Sequence, residues 1–370
     1  MERTADISLG AWRQDSAPLA RRQLSVRAFT SILITCACLS ALLASWLPLQ
    51  FSVITLFLFA GPHNWFELRY FLMRMPVRFG RSRNFFLTAF SGIGFLTIAY
   101  LALPLLYNFR LWTDEAWSSI LALWNTLLLL WLGLLVWLRG KQKPAPQRGY
   151  SAGDHASGRD WSWAIPVVLG LTSLNWLAPE FFSLAIVYLH PLVALWFLDR
   201  HLRRTRPNWL RAYHRCLCLL PLLLLGIYWQ LGRTPALADD NGLFWRITQH
   251  AGAQLLPNIS SHLLVSIHVF LEMLHYGVWL IALPLIAPRI SARNARTRKY
   301  RRIWDLKAVP LVRHPRGFPK MVGALLAFGL FPVALLWVGF SMDYSTTRDV
   351  YFTLAIAHVL AEAPFLLRMI

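Results

Sequence analysis

Three apolar stretches of the chain each carry a histidine followed four residues later by a glutamate. The pairs are His63/Glu67 in GPHNWFE, His268/Glu272 in HVFLE and His358/Glu362 in AHVLAE. A fourth apolar stretch carries His190 in VYLHPLV, and His275 follows Glu272 by three residues. Residues three or four apart lie on one face of a helix. Each pair therefore offers an imidazole and a carboxylate to the same neighbour.

This combination of side chains is typical of a metal site. Imidazole binds zinc, copper, iron and nickel, and carboxylates favour iron or manganese. We expect five histidines as metal ligands: His63, His190, His268, His275 and His358. The expected catalytic carboxylates are Glu67, Glu272 and Glu362. They either complete a site for one or two iron ions, or fix the histidine tautomers by accepting the second ring N–H.

The surrounding sequence predicts an all-α integral membrane protein. Hydrophobic residues make up 56% of the 370, and a membrane-spanning helix needs about 20 mostly apolar residues. We predict about ten transmembrane helices, so the lipid bilayer is the expected partner. They are 27–48, 51–73, 85–107, 116–138, 161–179, 181–198, 216–231, 260–287, 320–340 and 350–368.

The charged residues predict how these helices cross the membrane. The net charge is +20, and the basic residues concentrate in alternate loops, densest in SARNARTRKYRRIWDLK at 291–307. Such an alternation is the positive-inside pattern. It places both termini in the cytoplasm, explains the charge without a nucleic-acid partner, and suits a bacterial inner membrane.

The predicted topology places the polar residues at one depth. The second, sixth, eighth and tenth helices would run in the same direction, and His63, His190, His268 and His358 lie near their middles. Ionisable groups at that depth are unfavourable and usually face the bundle interior, where they have a function. The sequence thus predicts that four histidines converge in one layer, with the glutamates one turn further along.

The chain is predicted to form one membrane domain with a single interruption. Residues 1–26 form a cytoplasmic tail, 27–138 hold the first four helices, and 161–370 hold the other six. The segment 139–160 is rich in Pro, Gly, Ser and charge, which indicates a cytoplasmic linker. Another polar connection at 232–259 is predicted to lie outside and to contain an interfacial or re-entrant helix.

Aromatic residues flank the histidines in the sequence. Trp65, Tyr188 and Tyr276 lie within two residues of His63, His190 and His275 respectively. We interpret these side chains as the lining of a site for an apolar small molecule.

Two segments of the chain resemble a known family. GPH at 61–63 with an acid four residues after the histidine, and AHVLAEAPFLLR at 357–368, are similar to motifs of the bacteriorhodopsin-related carotene dioxygenase family. His63 and Glu67 match its early motif, with Glu in place of Asp, and His358 matches its last-helix motif. The resemblance implies a polytopic membrane enzyme that uses histidine-bound iron to cleave an isoprenoid such as a carotene oxidatively.

Other classes of function are compatible with the same residues. Two of the histidines are sufficient to ligate haem b in an electron-transfer protein. A buried polar layer can also conduct cations or protons, which would define a transporter. The leading hypothesis remains an iron-dependent oxygenase that acts on a lipid-soluble, isoprenoid or carotenoid-like substrate.

Overall fold

The computed structural model describes residues 24–76, 79–108, 114–141, 161–238, 241–286, 306, 309–315 and 317–369. Within these ranges all regular secondary structure is helical, and no strand occurs. Most of the predicted N-terminal tail and nearly all of the predicted 139–160 linker lie outside the described residues.

The first half of the chain forms six helices, five of them with more than 20 residues. They are α1 (Val26–Trp46), α2 (Pro48–Arg74), α3 (Arg83–Asn108), α4 (Asp114–Gly140), α5 (Ala164–Leu177) and α6 (Pro179–Thr205). The boundaries follow local sequence signals. Ser25 caps α1 by accepting a hydrogen bond from the Ala28 amide at 3.1 Å. Proline begins α2 and α6, where a missing N–H is harmless.

The second half contains both short and long helices. They are α7 (Leu210–Leu217), α8 (Leu219–Leu231), α9 (Gly242–His250), α10 (Ser261–Gly277), α11 (Leu283–Ile286), α12 (Pro310–Arg313), α13 (Pro319–Met342) and α14 (Tyr344–Met369). A π-helical segment, Val278–Ala282, joins α10 to α11 without a break. The helix α9 lies in the connection for which the sequence predicted an interfacial or re-entrant helix.

Eight helical stretches are long and apolar enough to cross a membrane. They correspond to every predicted span except the second and the fifth. The helix at the second position, α2, has 27 residues but is less apolar because it carries Asn64, Glu67 and Arg69. The helix at the fifth position, α5, is apolar but has only 14 residues. The protein is therefore a helical membrane bundle, and eight helical stretches of the part that the structure describes meet both criteria.

The continuous stretch Ser261–Ile286 lies at the centre of the bundle. It is the most buried of the eight spans, and α10 packs against α1, α2, α6 and α8. The outer helices are less buried; α13 packs on α2, and α4 packs on α3, α5 and α6. Because α10 is enclosed on several sides, its polar residues face protein rather than lipid.

Candidate metal centre

Four helices position the candidate site, and they form a closed ring. Helix α10 contacts α2 and α6, and α14 contacts the same two helices from the other side. Helices α2, α6 and α14 run in the same direction, because residues of their C-terminal turns meet at one end of the bundle. Side chains at matching heights on the ring therefore point towards a common interior.

Four imidazole rings meet inside this ring, one from each helix. The ring centroids of His63 and His275 are 5.3 Å apart, and those of His63 and His358 are also 5.3 Å apart. His190 lies 4.7 Å from His275 and 5.2 Å from His358. The four rings thus form one compact cluster, which we call the histidine cluster.

Two glutamates complete two overlapping groups of ligand atoms. Atoms of His63, Glu67, His275 and His358 all lie within 4.8 Å of one another, and the same holds for His190, His275 and Glu362. Glu362 also approaches His190 directly, with 3.2 Å between Oε2 and Nδ1. Both groups include His275. This arrangement can hold one metal ion, or two neighbouring ions.

The polar atoms of these groups have few partners in the protein. His63 Nδ1 donates to the Phe59 carbonyl at 2.9 Å, which leaves Nε2 as the acceptor that faces the cluster. Among the described residues, no hydrogen bond satisfies His63 Nε2, either Glu67 carboxylate oxygen, His358 Nδ1 or either ring nitrogen of His275. Unpaired polar atoms cost several kcal/mol each in a hydrocarbon environment. A bound cation would satisfy several of them together, so the donor set fits a metal ion.

A cavity of about 400 Å³ extends from the histidine cluster. His63, His190, His275 and His358 lie on its wall, and Glu180 and Gln249 lie on the wall near α9. Glu180 precedes His190 by ten residues on α6, which corresponds to about 15 Å along the helix. The remaining lining is mainly aliphatic and aromatic, including Tyr100, Trp124, Ile186, Phe352 and Ile356. The cluster is therefore reachable by a small, largely apolar molecule.

The structure places His268 outside the histidine cluster. Its ring lies 5.1 Å from His250 and 5.9 Å from Tyr188, near the α9 end of the cavity. The position expected for it is taken by His275, which lies seven residues later on the same face of α10. Seven residues correspond to about 10 Å along a helix. On α10 the cluster therefore lies about two turns closer to the C-terminus of the helix than the sequence predicted.

Glu272 also differs from its expected place. Its Oε1 accepts a hydrogen bond of 2.6 Å from the Tyr276 hydroxyl, and it belongs to neither group of ligand atoms in the described part of the chain. Glu272 and Tyr276 both line the cavity. The Tyr276 ring lies 4.6 Å from the His63 ring, so this hydrogen-bonded hydroxyl and carboxylate lie beside the cluster.

Two of the aromatic residues expected to line the cavity have other contacts. The Trp65 indole donates to the Leu326 carbonyl at 3.0 Å, and thereby joins α2 to α13. The Tyr188 hydroxyl donates to the carbonyls of Ala251 and Leu264 and fastens the end of α9 to α10. Of the three aromatic residues predicted to line the site, Tyr276 is the one on the cavity wall.

Two residues at the α9 end of the cavity were not among the expected site residues. The His250 ring lies 4.2 Å from the Phe352 ring and beside the His268 ring. Burial, and then the nearby charge of Arg348, lowers the pKa of His250 well below its usual range. Tyr351 lies on the cavity wall seven residues before His358. Seven residues are about two helical turns, so this spacing places both side chains on one face of α14 and is visible in the sequence.

Comparison of the chain with protein-family models, with curated proteins and with solved structures finds no match.

Proposed function

We propose that this protein is an intramembrane metalloenzyme, an iron-dependent oxygenase that acts on a lipid-soluble, isoprenoid-like substrate. The observation that carries the proposal is the convergence of four imidazoles and two carboxylates inside a ring of apolar helices. His63, His190, His275 and His358 would hold the metal, together with Glu67 and Glu362. Histidine with carboxylate is a ligand set that suits iron, and bound iron would supply the activation of oxygen.

The cavity supports an enzyme rather than a purely structural metal site. Structural metal sites are usually closed by protein ligands, whereas catalytic ones keep an open position. Here the histidine cluster forms part of the wall of a cavity of about 400 Å³. Cavities of this size, mostly apolar and with a few polar groups, are typical of small-molecule sites. An apolar substrate would fill the aliphatic part and exclude water from the cluster.

The residues beside the cluster have definable roles in this proposal. The Phe59 carbonyl holds the proton of His63 on Nδ1 and so keeps Nε2 available. The Tyr276 hydroxyl, hydrogen-bonded to Glu272, would hold or deliver a proton at the cavity wall. In this proposal Glu362 would orient the His190 ring, whose Nδ1 it contacts at 3.2 Å.

The spacing of the rings favours a compact metal centre over haem. A haem ligated by two histidines places the porphyrin plane between their rings. Neighbouring rings of the histidine cluster lie 4.7–5.3 Å apart, and the other imidazoles occupy the space around them. We therefore rank the haem hypothesis below that of an iron site.

Metal analysis with a visible spectrum on detergent-purified protein tests the proposal. We expect stoichiometric iron without a Soret band, and loss of that iron when His63 and His358 are both changed to alanine. His262→Ala is the matched control, because this histidine contacts the Ser45 carbonyl and lies outside the cluster. A Soret band would move the protein to the haem class. Folded protein that binds neither iron nor haem would contradict the proposal and favour a transporter.

Oxygen consumption tests the reaction class separately. Iron-loaded protein is expected to consume oxygen in the presence of a carotene or another long isoprenoid, and the double variant is not. Consumption without substrate selectivity would support an oxidase instead.

A further inference from the structure

The end of the bundle opposite α9 carries a concentration of arginines that the metal centre does not use. The C-terminal turns of α2, α4, α6 and α14 meet there, and each contributes at least one arginine. Three of these side chains donate to carbonyls of neighbouring helices: Arg368 to Arg74 at 2.5 Å, Arg204 to Met369 at 3.0 Å and Arg139 to Leu367 at 3.2 Å. We call Arg74, Arg139, Arg204, Arg368 and His201 the basic end.

The backbone carbonyls balance only part of this charge. A helix C-terminus carries a partial negative charge of about half an electron, and each guanidinium carries a full positive one. Arg368 is repelled by Arg139, Arg204 and Arg74. Among the described residues, no carboxylate forms an ion pair with Arg74, Arg204 or Arg368. Asp199, the acid in the same part of α6, contacts Arg203 at 2.8 Å and His214 at 2.7 Å instead.

A buried histidine adds an independent observation. His201 is 3% exposed, and its Nδ1 accepts a hydrogen bond of 2.8 Å from Arg74. Nδ1 therefore has a free lone pair for that bond, and the ring proton is on Nε2. Nε2 has no hydrogen-bond partner in the described part of the chain. A buried N–H donor that lies among Arg74, Arg204 and Arg206 requires an acceptor, and an anion is the acceptor that this charge favours.

We propose that the basic end is a binding site for a phosphate-bearing anion. Guanidinium groups bind phosphate through two parallel N–H donors. Arg204 and Arg368 each use one guanidinium nitrogen on a carbonyl contact, which leaves further N–H groups for an anion. Basic pockets between transmembrane helices bind the head groups of acidic lipids. A free phosphate compound has the same chemistry and is the other source of the anion. This site is separate from the metal centre and does not depend on its function.

Ligand-induced thermal stabilisation of the full-length protein in neutral detergent tests the site. The probes are phosphatidylglycerol, phosphatidylcholine, and inorganic phosphate at constant ionic strength. The variant carries Arg204→Gln and Arg368→Gln. The matched control carries Arg203→Gln and Arg211→Gln, two exposed arginines of the same region outside the basic end. Each Tm shift is measured against the same variant without ligand, so a general loss of stability cancels.

We expect the concentration of anion at half-saturation to rise at least about tenfold in the Arg204/Arg368 variant, because charge-assisted hydrogen bonds are lost. In the control it should change less than about twofold, the scale of weak surface charge effects. If the glutamine variant does not fold, Arg204→Lys with Arg368→Lys keeps the charge and removes the paired donors, and should still weaken binding several-fold.

The probes distinguish the two sources. Stabilisation by phosphatidylglycerol alone supports a lipid head group, and stabilisation by inorganic phosphate supports a free phosphate compound. Either result supports the site when the arginine variants lose it. The proposal is overturned if neither anion stabilises the wild type more than phosphatidylcholine or chloride does. It is also overturned if the control variant loses binding to the same extent.

Discussion

At the scale of single residues, the exchange between His268 and His275 defines the candidate site. Both lie on one face of α10, but only His275 shares its ligand atoms with His63, Glu67 and His358. His275 belongs to both overlapping groups, so it has the largest expected contribution to metal binding. His268 contacts the α9 end of the cavity instead.

Changing these two histidines separately tests this difference. His275→Ala is expected to lower metal affinity by a factor of about 100 or more, since a direct ligand contributes more than the roughly 10–100-fold of an outer partner. His268→Ala should retain the metal content of the wild type. Metal-to-protein ratios after dialysis against a graded chelator measure both. Equal losses in the two variants would refute the assignment of His275.

The carboxylate of Glu67 provides a second test at this scale. Both of its oxygens are buried without a hydrogen-bond partner among the described residues. Glu67→Gln keeps the shape and removes the charge, so we expect the metal-free protein to lose less than about 1 kcal/mol of stability. Metal affinity should nevertheless fall at least about tenfold.

Glu180→Gln is the control for this measurement, because Glu180 lines the cavity but belongs to neither ligand group. Its metal affinity should equal that of the wild type. Wild-type affinity in Glu67→Gln would show that Glu67 is not part of the metal centre. Thermal unfolding of the metal-free proteins and a metal titration give the two quantities.

At the scale of elements, the packing of α2, α6, α10 and α14 sets the site. Each helix contributes one histidine, and the residues nearest the histidine cluster on α10 are followed at once by the π-helical segment Val278–Ala282. Single π-helical turns often occur beside functional sites because they shift the side chains that follow by a fraction of a turn. Outer helices such as α3 and α4 hold this ring in place through close contacts.

Substitutions at two glycines of α3 test the contact between α3 and α4. A Cβ added at Gly92 would overlap the Trp131 indole of α4, which itself donates to the Thr88 carbonyl at 3.0 Å. A Cβ added at Gly94 meets nothing within 4 Å. Gly92→Ala is expected to destabilise the protein by about 1–3 kcal/mol through overpacking, and Gly94→Ala to be neutral or stabilising by up to about 1 kcal/mol.

Reversible unfolding in mixed micelles compares the two variants directly. Similar stability of both would show that α3 and α4 separate easily, and would weaken the view that they support the ring rigidly.

At the scale of the whole molecule, the orientation in the membrane follows from charge and helix direction together. The shared direction of α2, α6 and α14 agrees with the basic residues at their C-terminal ends. The positive-inside pattern predicts that this end lies in the cytoplasm. This predicted orientation requires α2 and α5 to cross the bilayer as well, although α2 is less apolar than the eight spans and α5 is shorter.

Cysteine labelling tests this topology of ten spans. In a protein without its four native cysteines, single cysteines at positions 47, 178 and 345 should react with an impermeant maleimide from outside. Cysteines at 150 and 206 should react only after the membrane is opened. Labelling at 178 from the cytoplasmic side alone would show that α5 does not cross the membrane. Labelling at 47 from the cytoplasmic side alone would show the same for α2.

The sequence by itself determined the membrane class, most helices and the residue types of the site. Apolar runs and the i, i+4 spacing of His63 with Glu67 and of His358 with Glu362 are local properties, so they are visible without a fold. The prediction that histidines of several helices converge also needed only the common direction of those helices. These features depend on helix geometry, which every stretch of about 20 apolar residues shares.

Only the tertiary structure decided which histidine of α10 joins the others. His268 and His275 share a face, and the vertical position of α10 against α2, α6 and α14 selects between them. That position results from side-chain packing along the whole helix. No single sequence motif encodes such packing. The same reason applies to Trp65, which faces α13. It also applies to the basic end, whose four arginines lie at least 65 residues apart in sequence. Contacts between distant segments are set by the packed bundle and not by local sequence.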